Sequence, residues 1–77
     1  MGKGKDIMVG VADVTEAGFF PYYATVHRRG RSVEQIAVEM AGACFKSKKF
    51  VYASVPPKTK WSLADQTMKP LWAKHKS

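Results

Sequence analysis

Residues 32–44, SVEQIAVEMAGAC, decide the fold because both the start of a helix and its buried side are visible in them. Ser32 followed by Gln35 is a capping box, in which each side chain binds the backbone N–H of the other residue. Apolar residues then recur at the spacing of one helical face, at Val33, Ile36, Ala37, Met40, Ala41 and Cys44. The segment predicts an amphipathic helix in which Cys44 is a buried thiol and Gly42 lies close to a sheet.

Three strands are predicted around this helix. Residues 6–14 carry apolar side chains on both alternating faces, which is typical of a strand buried on both sides. Residues 19–28 are rich in aromatic and β-branched side chains, and we expect them to form a hairpin with the first strand. Residues 49–55 form the third strand, which Pro56 and Pro57 end.

The C-terminal segment predicts a second, short helix. Ser62 and Asp65 have the spacing of a helix cap, and one face is shared by Ala64, Met68, Leu71, Trp72 and His75. Pro70 predicts a kink or a break. The fold class is therefore α+β, with a β-β-α-β order, a short C-terminal helix and the capped helix packed on a three-stranded sheet.

The length of 77 residues predicts one small domain over 1–77. Residues 1–5 are expected to be a flexible N-terminus and residues 73–77 a frayed C-terminus. Cys44 is the only cysteine in the sequence, and a single thiol without a secretory signal favours a reducing, cytoplasmic setting.

Catalytic and metal-binding patterns are not found in the sequence. Cys44, His27 and His75 are isolated from one another and lack the local spacing of a catalytic group or a zinc site. We therefore predict a protein that is not an enzyme, with no catalytic residues, no metal site and no cofactor.

The charge is concentrated in the last part of the chain. The formal net charge is +7, yet the first 45 residues contain five basic and five acidic residues, whereas residues 46–77 contain eight lysines and one aspartate. Such asymmetry predicts an acidic partner, either nucleic acid (RNA or DNA) or an acidic protein surface. A membrane partner is not expected, and the alternative is that the lysines keep a small domain soluble.

Basic residues in two regions are candidates for binding that partner. Arg28, Arg29 and Arg31 precede the capped helix, where guanidinium groups and the helix N-terminus favour phosphate. Lysines on both sides of the third strand would extend the contact, and these are Lys46, Lys48, Lys49, Lys58 and Lys60.

An aromatic sheet face is a further candidate. If Val51 and its alternating neighbours face the capped helix, Phe50 and Tyr52 point away from it. One of two sets of alternating residues from the second strand would then lie on the same face as Phe50 and Tyr52. The sets are Tyr22, Ala24 and Val26, or Tyr23, Thr25 and His27. The second set would make Tyr23, Phe50 and Tyr52 a platform for stacking bases. We expect the C-terminal segment, with Trp61 and Trp72 buried, to cover much of this face; an uncovered face would favour a homodimer.

Overall fold

The structure, a computed structural model, describes residues 6–76 and confirms the α+β class. The elements are β1 (Asp6–Asp13), β2 (Tyr22–His27), α1 (Val33–Cys44), β3 (Phe50–Val55) and α2 (Trp61–Lys76). The expectation about residues 1–5 lies outside the described residues, as does Ser77 in the expectation about the C-terminus. Residues 73–76 continue α2, so fraying of this end stays a prediction.

The sheet has the order β2-β1-β3, and both neighbours are antiparallel to β1. The central strand is buried on both faces, as its apolar pattern predicts, because α1 covers one face and α2 the other. Gly10 lies under the second helix, and a Cβ there would come within 2.5 Å of Met68 Sδ and of the Tyr23 ring. A glycine in the centre of β1 thus lets α2 and Tyr23 approach the sheet closely.

The capping box of α1 is confirmed. Gln35 N donates to Ser32 Oγ at 3.1 Å, and Ser32 N donates to Gln35 Oε1 at 3.0 Å. Ile36, Ala37 and Met40 of this helix pack on Val9 and Val11 of β1. The capped start and the apolar stripe therefore act together, fixing both where α1 begins and which side it buries.

Two details predicted for the end of α1 are wrong. Cys44 is exposed, because α1 ends there and the following residue, Phe45, packs against the core instead. Gly42 is exposed as well, and a Cβ added to it would have no neighbouring atom within 4 Å. Gly42 therefore lies on the solvent side of α1 and permits no close approach to the sheet.

The second helix is longer than expected and begins earlier. It has 16 residues, and its first bonds run from Leu63 N and Ala64 N to Lys60 O, so Lys60 and not Ser62 precedes the first turn. Pro70 lies inside α2, which is not broken there. Pro70 and Gln66 are both exposed, so water can reach the carbonyl group that loses its N–H partner.

The condition for the aromatic platform, that Val51 and its alternating neighbours face α1, is not met. Tyr52 pairs with Val11, and Ala53 pairs with Gly10, so Tyr52 lies on the α1 face and Ala53 on the α2 face. On β2 it is Tyr22, paired with Val11, that shares the face of Tyr52, whereas Tyr23 lies on the opposite face. The sheet therefore separates Tyr23 from Phe50 and Tyr52, and the three residues form no common platform.

The turns divide the basic residues between the two ends of the sheet. One end, here called the arginine end, holds residues 28–31 and 56–60, because β2 and β3 both finish there. The other, the lysine end, holds residues 45–49 and the last turn of α2, which reaches residue 16 through a hydrogen bond from Lys76. The two ends are separated by the length of β3, about 20 Å for six residues.

Candidate nucleic-acid interface

Phe50 and Tyr52, two of the three predicted stacking residues, lie side by side on β3. Residues two apart on a strand point to the same face, and these ring centroids are 6.4 Å apart with planes tilted by 47°. β3 is an edge strand, so no further strand among residues 6–76 covers its outer side. Tyr52 is 37% exposed and Phe50 is half-buried. The pair offers ring surface at the rim of the sheet.

A groove of about 420 Å³, here called the β3 groove, runs along the edge of the sheet between residues 50–52 and the last turns of α2. Residues 50–52 (Phe50, Val51 and Tyr52) form one wall, and Leu71, Lys74 and His75 form the other. Here α2 is near its C-terminus, where the helix dipole favours cationic side chains. The groove thus combines aromatic and aliphatic surface with a lysine and an imidazole, a composition suited to a flat ring that carries a negative group.

The lysine loop, residues 45–49, flanks Phe50 on its other side. Lys49 N donates to Ser47 Oγ at 3.0 Å, and Val14 N donates to Lys49 O at 3.2 Å, so the loop backbone is fixed. The side chains of Lys46, Lys48 and Lys49 are exposed and form no ion pair within residues 6–76. A second groove, lined by Phe45, Lys46, Lys48 and Phe50 among others, lies on the α1 side of the loop.

Two lysines of α2 extend the lysine end. Lys74 lines the β3 groove, and Lys76 Nζ donates to Glu16 O at 2.6 Å while lying 5.5 Å from the centre of the Trp72 ring. Acidic side chains at this end are Glu16 and Asp13, and the Asp13 carboxylate is buried and accepts hydrogen bonds from Thr15. Among residues 6–76, five lysines against two acidic side chains therefore give this end a positive balance.

The arginine turn, residues 28–31, is organised differently. Arg31 donates from Nη2 to His27 O at 2.6 Å, from Nη1 to Glu39 Oε1 at 2.5 Å and from Nε to Arg28 O at 3.0 Å. Arg28 Nε donates back to Arg31 O at 3.1 Å. Arg31 is thus engaged within the protein. The donors of this turn that could still bind a phosphate are those of Arg29 and the Nη groups of Arg28.

Tyr23, Lys58 and Lys60 lie near the start of α2, at or beside the arginine end. The Tyr23 ring packs under Trp61, with ring centroids 5.6 Å apart and an interplanar angle of 81°. Its hydroxyl donates to Asp65 Oδ1, and burial, followed by that hydrogen bond and the carboxylate charge, raises the pKa of Tyr23 above its ordinary value. Tyr23 is a half-buried support for α2 and offers no open stacking surface.

The structure exposes interface residues that the sequence prediction missed. Trp61 is 72% exposed, against the expectation that both tryptophans are buried, whereas Trp72 packs in the core and donates from Nε1 to Asp13 O at 3.1 Å. Lys74 and His75 join Phe50 through the packing of α2 on β3. The absence of Trp61 from the apolar stripe of the C-terminal segment was the one available signal, since the stripe starts at Ala64.

Known proteins give no guide to the site. The chain matches no family model, and comparisons with curated proteins and with solved structures give no significant match. Within residues 6–76, no three His, Cys, Asp or Glu residues are placed to hold a metal ion, and neither helix has the length and apolar character needed to cross a membrane.

Proposed function

We propose that this protein is a small non-enzymatic module that binds nucleic acid at its lysine end. The observation that carries the proposal is the exposed ring pair of Phe50 and Tyr52 on the edge strand, where both residues line a groove with Lys74 and lie next to the lysine loop, whose three lysines have no acidic partner among residues 6–76. Lysines that pair with phosphates release condensed counterions, which supplies affinity without reading the sequence. Bases that stack on the rings add roughly 1–3 kcal/mol each.

Fluorescence anisotropy with labelled RNA and DNA oligonucleotides across a range of salt concentrations tests the proposal. Four phosphate contacts, from Lys46, Lys48, Lys49 and Lys74, give a slope of log affinity against log salt of about −3 for a single strand. We expect binding at low salt that weakens with this slope. Absence of binding at low salt, or affinity that does not change with salt, would contradict the proposal.

A second candidate function is docking on an acidic protein, and the open edge of β3 favours it. Backbone groups on the outer side of β3 have no strand partner within residues 6–76, and an extended acidic segment could add there as a fourth strand beside the lysines. Affinity capture with nuclease treatment separates the two functions. A stoichiometric protein that stays bound after nuclease would favour docking, and loss of all bound material would favour nucleic acid.

Three further expectations accompany the proposal. The single cysteine favours a cytoplasmic setting, the chemistry of the groove gives no reason to expect a cofactor, and a homodimer through the exposed rings would appear as a doubled mass in sedimentation equilibrium. Each stays a prediction until measured.

A further inference from the structure

We propose that Trp61 is a second stacking contact and that the ligand is therefore a single strand, which passes from the β3 groove to the start of α2. This inference rests on the proposed function and adds a site and a strand type to it. It concerns a groove of about 490 Å³, separate from the β3 groove, beside Thr25, Lys58, Thr59 and Lys60.

Trp61 is exposed, and its ring contacts that of Tyr23. A tryptophan side chain can bury 150–250 Å² of surface, but 72% of Trp61 remains open to solvent. Its ring is positioned from below by Tyr23, whose hydroxyl is bound in turn to Asp65, one turn further along α2. The contact with Tyr23 gives the indole ring a preferred orientation, which lowers the entropy cost of stacking a base on it.

The charge around Trp61 suits a phosphate backbone. Lys58 and Lys60 line the same groove, and the first turn of α2 contains no acidic residue. Lys58 sits in a turn with φ of 66°, in which Thr59 Oγ1 donates to Pro56 O. Two lysines, the threonine hydroxyls and an aromatic ring therefore surround one opening, which is the combination that binds a nucleotide by its base and its phosphate.

The geometry favours a single strand over a duplex. A base reaches the face of an exposed ring only when it has left its own stack, as in single-stranded segments. Trp61 and Leu71 are ten residues apart on α2, about 15 Å at the rise of a helix. A strand that contacts both grooves must span this distance, so the contribution of Trp61 is expected to depend on oligonucleotide length.

The experiment compares Trp61→Ala with Leu63→Ala, which removes another exposed apolar side chain from the same turn of α2. Anisotropy is measured with labelled single-stranded RNA and DNA of about 4 and about 16 nucleotides, the range of site sizes in basic aromatic folds, and with a duplex of the longer sequence. We expect Trp61→Ala to weaken binding of the longer strand about five- to a hundredfold, and Leu63→Ala to change it by less than about twofold.

Trp61→Phe supplies a second readout because it keeps an aromatic ring and leaves Trp72 as the remaining indole. It should retain most of the affinity, whereas the change in tryptophan emission on binding should disappear. Circular dichroism checks that each variant is folded.

The outcomes separate this inference from the proposed function. If Trp61→Ala binds the longer strand as tightly as the wild type while Lys46→Gln/Lys48→Gln weakens binding, the Trp61 contact is wrong and the lysine end stands. If the lysine variant binds normally and Trp61→Ala does not, the proposed lysine end is wrong and the Trp61 contact stands. Equal affinity of the wild type for the duplex would overturn the single-strand assignment.

Discussion

The arginine turn and the lysine loop occupy equivalent places, one before α1 and one after it, yet their cations behave in opposite ways. In the arginine turn, Arg31 and Arg28 donate to backbone carbonyl groups and to Glu39. In the lysine loop, the three ammonium groups extend into solvent without an ion pair inside residues 6–76. The two loops have similar charge, but the arginine side chains stabilise the fold whereas the lysine side chains are exposed to solvent.

The difference follows from side-chain chemistry. Guanidinium is planar and weakly hydrated and has five donors, so Arg31 can satisfy His27 O, Arg28 O and Glu39 together. An ammonium group is compact and strongly hydrated on a flexible stem, and the three lysine side chains of the loop are exposed. The number of basic residues therefore overestimates the cationic groups that the arginine turn offers to a partner and underestimates the importance of the lysine end.

The largest expected effect comes from Tyr52→Ala, which removes a ring from the lysine end. Affinity for single strands should fall about fivefold to a hundredfold, since one stacked base is worth roughly 1–3 kcal/mol. The free energy of unfolding should also fall, but by less than for a fully buried aromatic residue, because Tyr52 is 37% exposed. Anisotropy and urea unfolding measure the two quantities. Unchanged affinity would contradict base stacking on Tyr52 and would mean that the lysine end contributes to binding through its charge.

Arg31→Gln tests the other side of the comparison. It removes the donors to His27 O and Glu39, and we expect the free energy of unfolding to fall by about 1–2 kcal/mol while affinity for nucleic acid is retained. Glu39→Gln is the control, because it weakens only the exposed ion pair and should cost less than about 1 kcal/mol. A loss of affinity without a loss of stability would show that Arg31 contacts the ligand.

A charge-matched pair of double variants compares the two loops directly. Lys46→Gln/Lys48→Gln should reduce the salt slope by about 1.4, the value for two lost phosphate contacts on a single strand. Arg28→Gln/Arg29→Gln should reduce it by less than about 0.7, because Arg28 is bound within the turn and Arg29 lies at the opposite end of the sheet. The reverse order would move the interface to the arginine turn.

The smallest expected effect is on the pH dependence of stability and concerns Tyr23. Its hydroxyl, like the guanidinium group of Arg31, binds another group of the protein. Its pKa is raised in the folded protein, so the folded state keeps the proton while the unfolded chain loses it above about pH 10. Stability from this group is complete below that pH and is lost as the pH rises further. Urea unfolding between about pH 9 and 11 should show a shallower decline for Tyr23→Phe than for the wild type. Parallel curves would contradict a bound hydroxyl.

Much of the fold could be predicted from short segments. The capping box of Ser32 and Gln35, the two-sided burial of β1 and the position of the turn after Val55 depend on residues close in the chain, and all three are present. The errors arise where a segment could adopt two orientations of similar energy. β3 is apolar on both faces, so its own sequence does not say which face meets α1.

The candidate site depended on long-range contacts to a greater degree. Phe50 and Tyr52 were predicted, but Lys74 and His75 join them only because α2 packs antiparallel to β3. Trp61 was expected in the core, but the buried residues of α2 are Ala64 and Met68. Met68 packs against Gly10 and Val51.

The sequence by itself determined the elements, their order and the excess of lysine after residue 45, because capping, periodicity and charge are local properties of the chain. The tertiary structure decided which rings and cations share a surface. The pairing of Val11 with both Tyr22 and Tyr52 set the faces of the sheet, and the contacts of Arg31 with His27 and Glu39 removed it from the surface available to a partner. Both outcomes depend on contacts between residues that are distant in the chain, so they cannot be predicted from any single segment.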